Sequence, residues 1–152
     1  MFTRFILVLA ILATLATGLA TSASASPSQP ISIATSKPPG PVPGTFAASG
    51  AFADSGTINN LSFAPSAFGS PTFGVSHITI LFAGSAGTFT LKAQITETLT
   101  SDPNVLTDNG TWTIIDGTGA YANLRGQGTV VGTVDDNVNL ITRTYQGTVH
   151  FN

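Results

Sequence analysis

The stretch Thr88-Phe-Thr-Leu-Lys-Ala-Gln-Ile-Thr-Glu-Thr-Leu99 decides the fold class. Its odd positions are Phe89, Leu91, Ala93, Ile95, Glu97 and Leu99, and its even positions are Thr88, Thr90, Lys92, Gln94, Thr96 and Thr98. Period-two alternation of this length is the mark of a strand with one apolar and one wet face. Residues 140–151 repeat the pattern, with Ile141, Arg143, Tyr145, Gly147, Val149 and Phe151 on one side and Thr, Gln and His mostly on the other. Each apolar face carries one charge, Glu97 in the first strand and Arg143 in the second.

Working outward, residues 45–152 are rich in Gly, Thr, Val, Ile and Phe, with turn signals every 8–14 residues. No segment there has the i, i+3, i+4, i+7 spacing of a surface helix. The pattern predicts an all-β domain with strands at 45–53, 57–64, 74–83, 87–100, 109–115, 119–124, 127–135 and 139–151. Short connections such as Asp54-Ser-Gly56, Asp116-Gly117 and Asp135-Asp-Asn137 make neighbouring strands antiparallel. Eight such strands remove their open edges by closing into a single eight-stranded antiparallel β-barrel.

Upstream, Arg4, the apolar run from Phe5 to Leu19 and the box Ala23-Ser24-Ala25 form the three-part secretory signal pattern. A signal peptide is expected over 1–25, with export of the rest. The alternative is a retained anchor, but the apolar run is short and no basic stop-transfer cluster follows it. No stable membrane insertion is expected after cleavage. Residues 26–44 hold six of the nine prolines and read as a Pro-rich flexible linker, with the barrel domain over 45–152.

Charge excludes several classes of partner. Charged residues are 8 % of the chain, against a norm of about 25 %. Past residue 25, four positive residues face seven negative ones, a net of −3. No basic patch exists, so nucleic acid is not an expected partner. With no Cys there is no disulfide framework, thiol nucleophile or thiolate metal site. His77 and His150 stand isolated, so no metal or other cofactor is expected. Asp135-Asp136-Asn137 is too short for a calcium loop and reads as a hairpin turn. Nothing in the composition fixes the oligomeric state.

Residues 116–128 read Asp-Gly-Thr-Gly-Ala-Tyr-Ala-Asn-Leu-Arg-Gly-Gln-Gly. Gly117 and Gly119 permit a sharp reversal, and Gly126 permits close backbone approach. A dinucleotide loop is excluded, because Ala122 stands where the third glycine belongs and no helix follows. The core Gly117-Thr-Gly119-x-Tyr121-x-x-Leu124-Arg125-Gly126 resembles the hairpin motif of allene-oxide-cyclase-like and dirigent-like barrels, especially small secreted bacterial members. Gly110-Thr-Trp-Thr-Ile-Ile115 before it and Gly126-x-Gly-Thr129 after it extend the likeness over 107–135. Tyr121 and Leu124 depart from the wider family, where Phe and a small residue are common. The resemblance implies an eight-stranded barrel with a central cavity and transfers no catalytic residue.

The candidate pocket residues are Glu97, Arg143, Tyr145, Trp112 and Tyr121. A carboxylate and a guanidinium on apolar faces must pair or reach water, so Glu97 and Arg143 are expected to pair with each other or to polarise a ligand. Arg125 is expected to bridge to Asp116 or to clamp a ligand at the barrel mouth. The aromatics are expected in the core or lining the pocket. The leading expectation is a non-catalytic barrel whose partner is a small hydrophobic ligand. The rivals are an isomerase or cyclase acting through Glu97 and Arg143, and a self-associating surface module.

Overall fold

A computed structural model of the chain describes residues 26–65 and 73–152. The expected signal peptide, 1–25, lies outside the described residues. The rest forms one closed antiparallel barrel in up-and-down order: β1 (Gln29–Lys37), β2 (Gly44–Gly50), β3 (Asp54–Pro65), β4 (Phe73–Gly84), β5 (Thr88–Leu99), β6 (Val105–Gly117), β7 (Leu124–Asp135) and β8 (Leu140–Phe151).

The strand count agrees with the sequence pattern, but two strands differ. The first lies in the stretch expected to be a linker. Ile31, Ile33, Thr35 and Lys37 alternate inward, and β1 pairs with both β2 and β8 to close the wall. The proline density that suggested a tether is confined to either side of this run. Only Pro30 falls within it, one residue from the strand's start, where a missing N–H costs little. The expected strand at 119–124 is instead a single 3-10 turn, Gly119–Tyr121, within the β6–β7 connection. Gly119 has φ +59°, a left-handed conformation that favours glycine.

The alternation quoted for Thr88–Leu99 is realised. Phe89, Leu91 and Ile95 are fully buried, and Lys92, Gln94 and Thr96 are exposed. From Gly74, cross-strand partners can be followed around all eight strands back to β4 at Gly84, ten residues further along. This stagger tilts the strands by roughly 40° and sets the barrel's width.

The interior is filled unevenly. At the end bearing the β2–β3, β4–β5 and β6–β7 turns, aromatic rings close the lumen. Phe82 and Phe89 stack with centroids 4.6 Å apart, and Tyr121 meets Phe89 at 5.3 Å and Phe52 at 4.9 Å. Asp54 ties this end together. It accepts hydrogen bonds from the Tyr121 hydroxyl at 2.7 Å, the Ser85 hydroxyl at 2.8 Å and the Ser55 amide at 2.8 Å. The Tyr121 hydroxyl, then Ser85, hold the Asp54 carboxyl well below the usual carboxylate range. Among the described residues no helix is long and apolar enough to cross a membrane.

Candidate functional site

The opposite end of the barrel is polar inside. Glu97 on β5 faces Asp108 on β6, Asp108 faces Gly132 on β7, and Gly132 faces Arg143 on β8, all on the inner surface. β1 continues the row with Thr35, whose hydroxyl donates to the Arg143 carbonyl at 3.1 Å. Strand pairing thus sets two carboxylates and a guanidinium side by side where apolar residues would otherwise fill the core.

Arg143 Nε donates to Asp108 Oδ2 at 2.7 Å, the sole ion pair among the described residues. Both side chains are almost wholly out of water. Arg143 therefore pairs with Asp108 rather than with Glu97. Asp108 stands one residue before the strand expected over 109–115, whereas β6 begins at Val105 and includes it. The spacing Leu106, Asp108, Gly110, Trp112, Ile114 was the signal that it lies on an inward face.

Glu97 is half-buried. Burial, then the Asp108 charge, push its carboxyl above the ordinary range, while Ser76 and Arg143 pull it back. Asp108 Oδ1 is buried with no hydrogen-bond partner. The Tyr145 phenol lies below Arg143, and burial pushes it up to about 12.

A cavity of about 530 Å³ opens at this end. Lys37, Asn60, Ser62, Glu97 and Arg143 supply its polar lining, with Asn60 Oδ1 buried and unpartnered, and Ile78, Leu106, Val134 and Ile141 much of its apolar lining. Leu61 and Phe63 at its lip are more than half exposed. The Pro-rich β1–β2 connection contributes Pro39, Gly40 and Pro41 to the mouth. Lys37 is only 3 % exposed, and its Nζ donates to the carbonyls of Pro38 at 2.6 Å and Gly40 at 2.9 Å. Desolvation, then the nearby Arg143, lower its pKa.

Of the candidate pocket residues, Glu97 and Arg143 line this cavity, whereas Trp112, Tyr121 and Tyr145 are packed in the core. Trp112 Nε1 donates to the Thr129 carbonyl at 2.9 Å, and Tyr121 belongs to the closed end. Arg125 forms neither the expected bridge to Asp116 nor a clamp on this cavity. Its Nη1 donates to the Leu124 carbonyl at 2.7 Å, and Asp116 accepts from the Gly117 amide. The hairpin glycines Gly117 and Gly126 are in tight quarters, against the Tyr121 backbone and the Val149 side chain. His77 is exposed on the outer wall. A larger concavity of about 900 Å³ also lies on that wall, among Thr, Gln and Lys92 side chains. It is open and polar, without the convergent buried groups of the inner cavity. No group of three His, Asp or Glu comes together among the described residues.

No protein-family model, curated protein or solved structure matches this chain.

Proposed function

We propose that the protein is a secreted, non-catalytic β-barrel that holds a small, largely apolar molecule in the cavity at its open end. The observation that carries this is the lengthwise asymmetry of the lumen. Aromatic rings fill one end, while the other keeps a cavity of about 530 Å³ with apolar walls and a few convergent polar groups. That size and lining are those of small-molecule sites, which run to about 300–1,000 Å³. The leader-like residues 1–25 support export. The hairpin motif's resemblance to allene-oxide-cyclase-like and dirigent-like barrels supports the same reading, since such barrels work through an internal cavity.

The test is titration with the uncharged probe N-phenyl-1-naphthylamine. We expect saturable one-to-one binding with a roughly micromolar Kd, abolished by Val134→Trp, which fills the cavity. A folded Val134→Trp variant that binds as well as the wild type overturns the proposal, and so does the absence of saturable binding.

A second reading is an isomerase or cyclase acting on a small hydrophobic substrate. Glu97 and Arg143 favour it, because both line the cavity and Glu97 holds its proton above the usual pH range. Under this reading Glu97 is the acid and Arg143 steadies developing negative charge. Turnover of an allylic epoxide probe that Glu97→Gln abolishes, with probe binding intact, would favour it over simple binding.

A further inference from the structure

We propose that Lys37 is a reactive amine that captures apolar aldehydes as an imine inside the open-end cavity. The inference rests on that cavity admitting small apolar molecules.

The geometry singles out this lysine. Its side chain is 3 % exposed, yet it lines the cavity, so a molecule in solution reaches it by way of the cavity. No carboxylate holds it as an ammonium. Asp108 Oδ2 is engaged by Arg143 in the sole ion pair among the described residues, and residues 66–72 contain no acid. Its partners are two backbone carbonyls, Pro38 and Gly40. A neutral amine has two N–H bonds and one lone pair. The two carbonyls can accept both N–H bonds of the neutral amine and leave its lone pair free to attack.

The groups facing Lys37 act in the same direction. Arg143 is the cation nearby, and with burial it favours the uncharged amine. Asp108 Oδ2 is bonded to Arg143, no ion pair joins Lys37 to a carboxylate among the described residues, and burial raises the Glu97 pKa.

Each step balances without an added oxidant or reductant. Lys37 Nζ adds to the aldehyde carbon, forming a C–N bond, and a proton passes from nitrogen to oxygen. An acid then protonates the hydroxyl, water leaves, and a C=N bond remains. Glu97 is the acid at hand. The protonated imine keeps one N–H for a carbonyl. Gly40, exposed at the mouth, can turn its carbonyl to water. The aldehyde's tail is left against Ile78, Leu106, Val134 and Ile141.

The experiment is incubation of the folded protein with hexanal and sodium cyanoborohydride at neutral pH, followed by peptide mapping. The exposed Lys92 is an internal control that needs no variant. We expect Lys37 to be alkylated roughly tenfold faster than Lys92, with N-phenyl-1-naphthylamine suppressing the reaction at Lys37 alone. Labelling of Lys92 or the amino terminus as fast as Lys37 overturns the proposal. Unlabelled Lys37 in a protein that still binds the naphthylamine overturns it too and leaves the cavity reading standing. Absence of both labelling and probe binding overturns the two together.

Discussion

Asp108 and Arg143 lie on strands with β7 between them, yet Arg143 Nε reaches Asp108 Oδ2 at 2.7 Å. The pairing is possible because Gly132, the residue between them in the row, has no side chain. A Cβ there would lie 2.7 Å from Arg143 Cγ and would collide with the Thr142 carbonyl. Gly132→Ala should therefore cost about 1–3 kcal/mol by overpacking, read from the urea midpoint. A variant as stable as wild type would show that Arg143 does not need this path.

The same ion pair makes a prediction about charge. Asp108→Ala strands a buried guanidinium and should cost roughly 3–5 kcal/mol. Replacing both partners, as Asp108→Leu with Arg143→Met, should recover most of that loss, because desolvating the pair consumes much of its attraction. Denaturant unfolding of Asp108→Leu, Arg143→Met and the double variant measures the coupling. Additive losses would contradict the pairing as the source of the effect.

Glu97 gives a pH dependence of definite sign. Its folded pKa is raised above the unfolded value, which is about 4.3. The folded state therefore binds this proton more tightly. Stability falls as pH climbs from about 4.3 through the folded pKa and then levels off. Glu97→Gln removes the ionisation, so its stability relative to wild type should improve between pH ~4 and neutrality. Thermal unfolding across that range checks it, and a constant difference between the two proteins contradicts it.

At the closed end the sign is opposite. Asp54 has its folded pKa depressed, chiefly by the Tyr121 hydroxyl. Its contribution is complete above the unfolded value of about 3.9 and is lost as pH falls toward the folded one. Asp54 is partly solvated, which places Tyr121→Phe near the low end for a charged hydrogen bond, about 1–1.5 kcal/mol at neutral pH. The gap between Tyr121→Phe and wild type should narrow as acid protonates Asp54. A gap that persists unchanged at low pH would assign the loss to packing of the ring instead.

What the sequence made legible is the part that repeats. Alternation over 88–99 and 140–151 fixed which side chains face inward, and it put Glu97 and Arg143 on the inner wall. Asp108 was hidden because it stands one residue before the strand expected over 109–115, and only pairing with β5 and β7 carries β6 back to Val105. Its partnership with Arg143 is non-local and depends on barrel stagger, which no single strand encodes. Lys37 was hidden by its prolines. Pro38, Pro39, Pro41 and Pro43 follow it at once, so local composition spoke for an extended tether where the long-range partners Ile141 and Arg143 of β8 make a wall.

That last point is open to a direct test by truncation. If residues 26–44 were a tether, a chain starting at Pro38 would fold as well as one starting at Ser26. In the structure β1 contributes Ile31 and Ile33, both almost fully buried, and is the seam that joins β2 to β8. Removing it uncovers the core and leaves two unpaired strand edges, a configuration that invites aggregation. Burying each isoleucine contributes roughly 1.5–3 kcal/mol, a large share of the about 5–15 kcal/mol typical of a whole domain. The chain starting at Ser26 should unfold in one cooperative transition with a near-UV signal from Trp112. The chain starting at Pro38 should lack both and should associate. A cooperative, monomeric protein starting at Pro38 would mean that the barrel closes without β1, with β2 against β8.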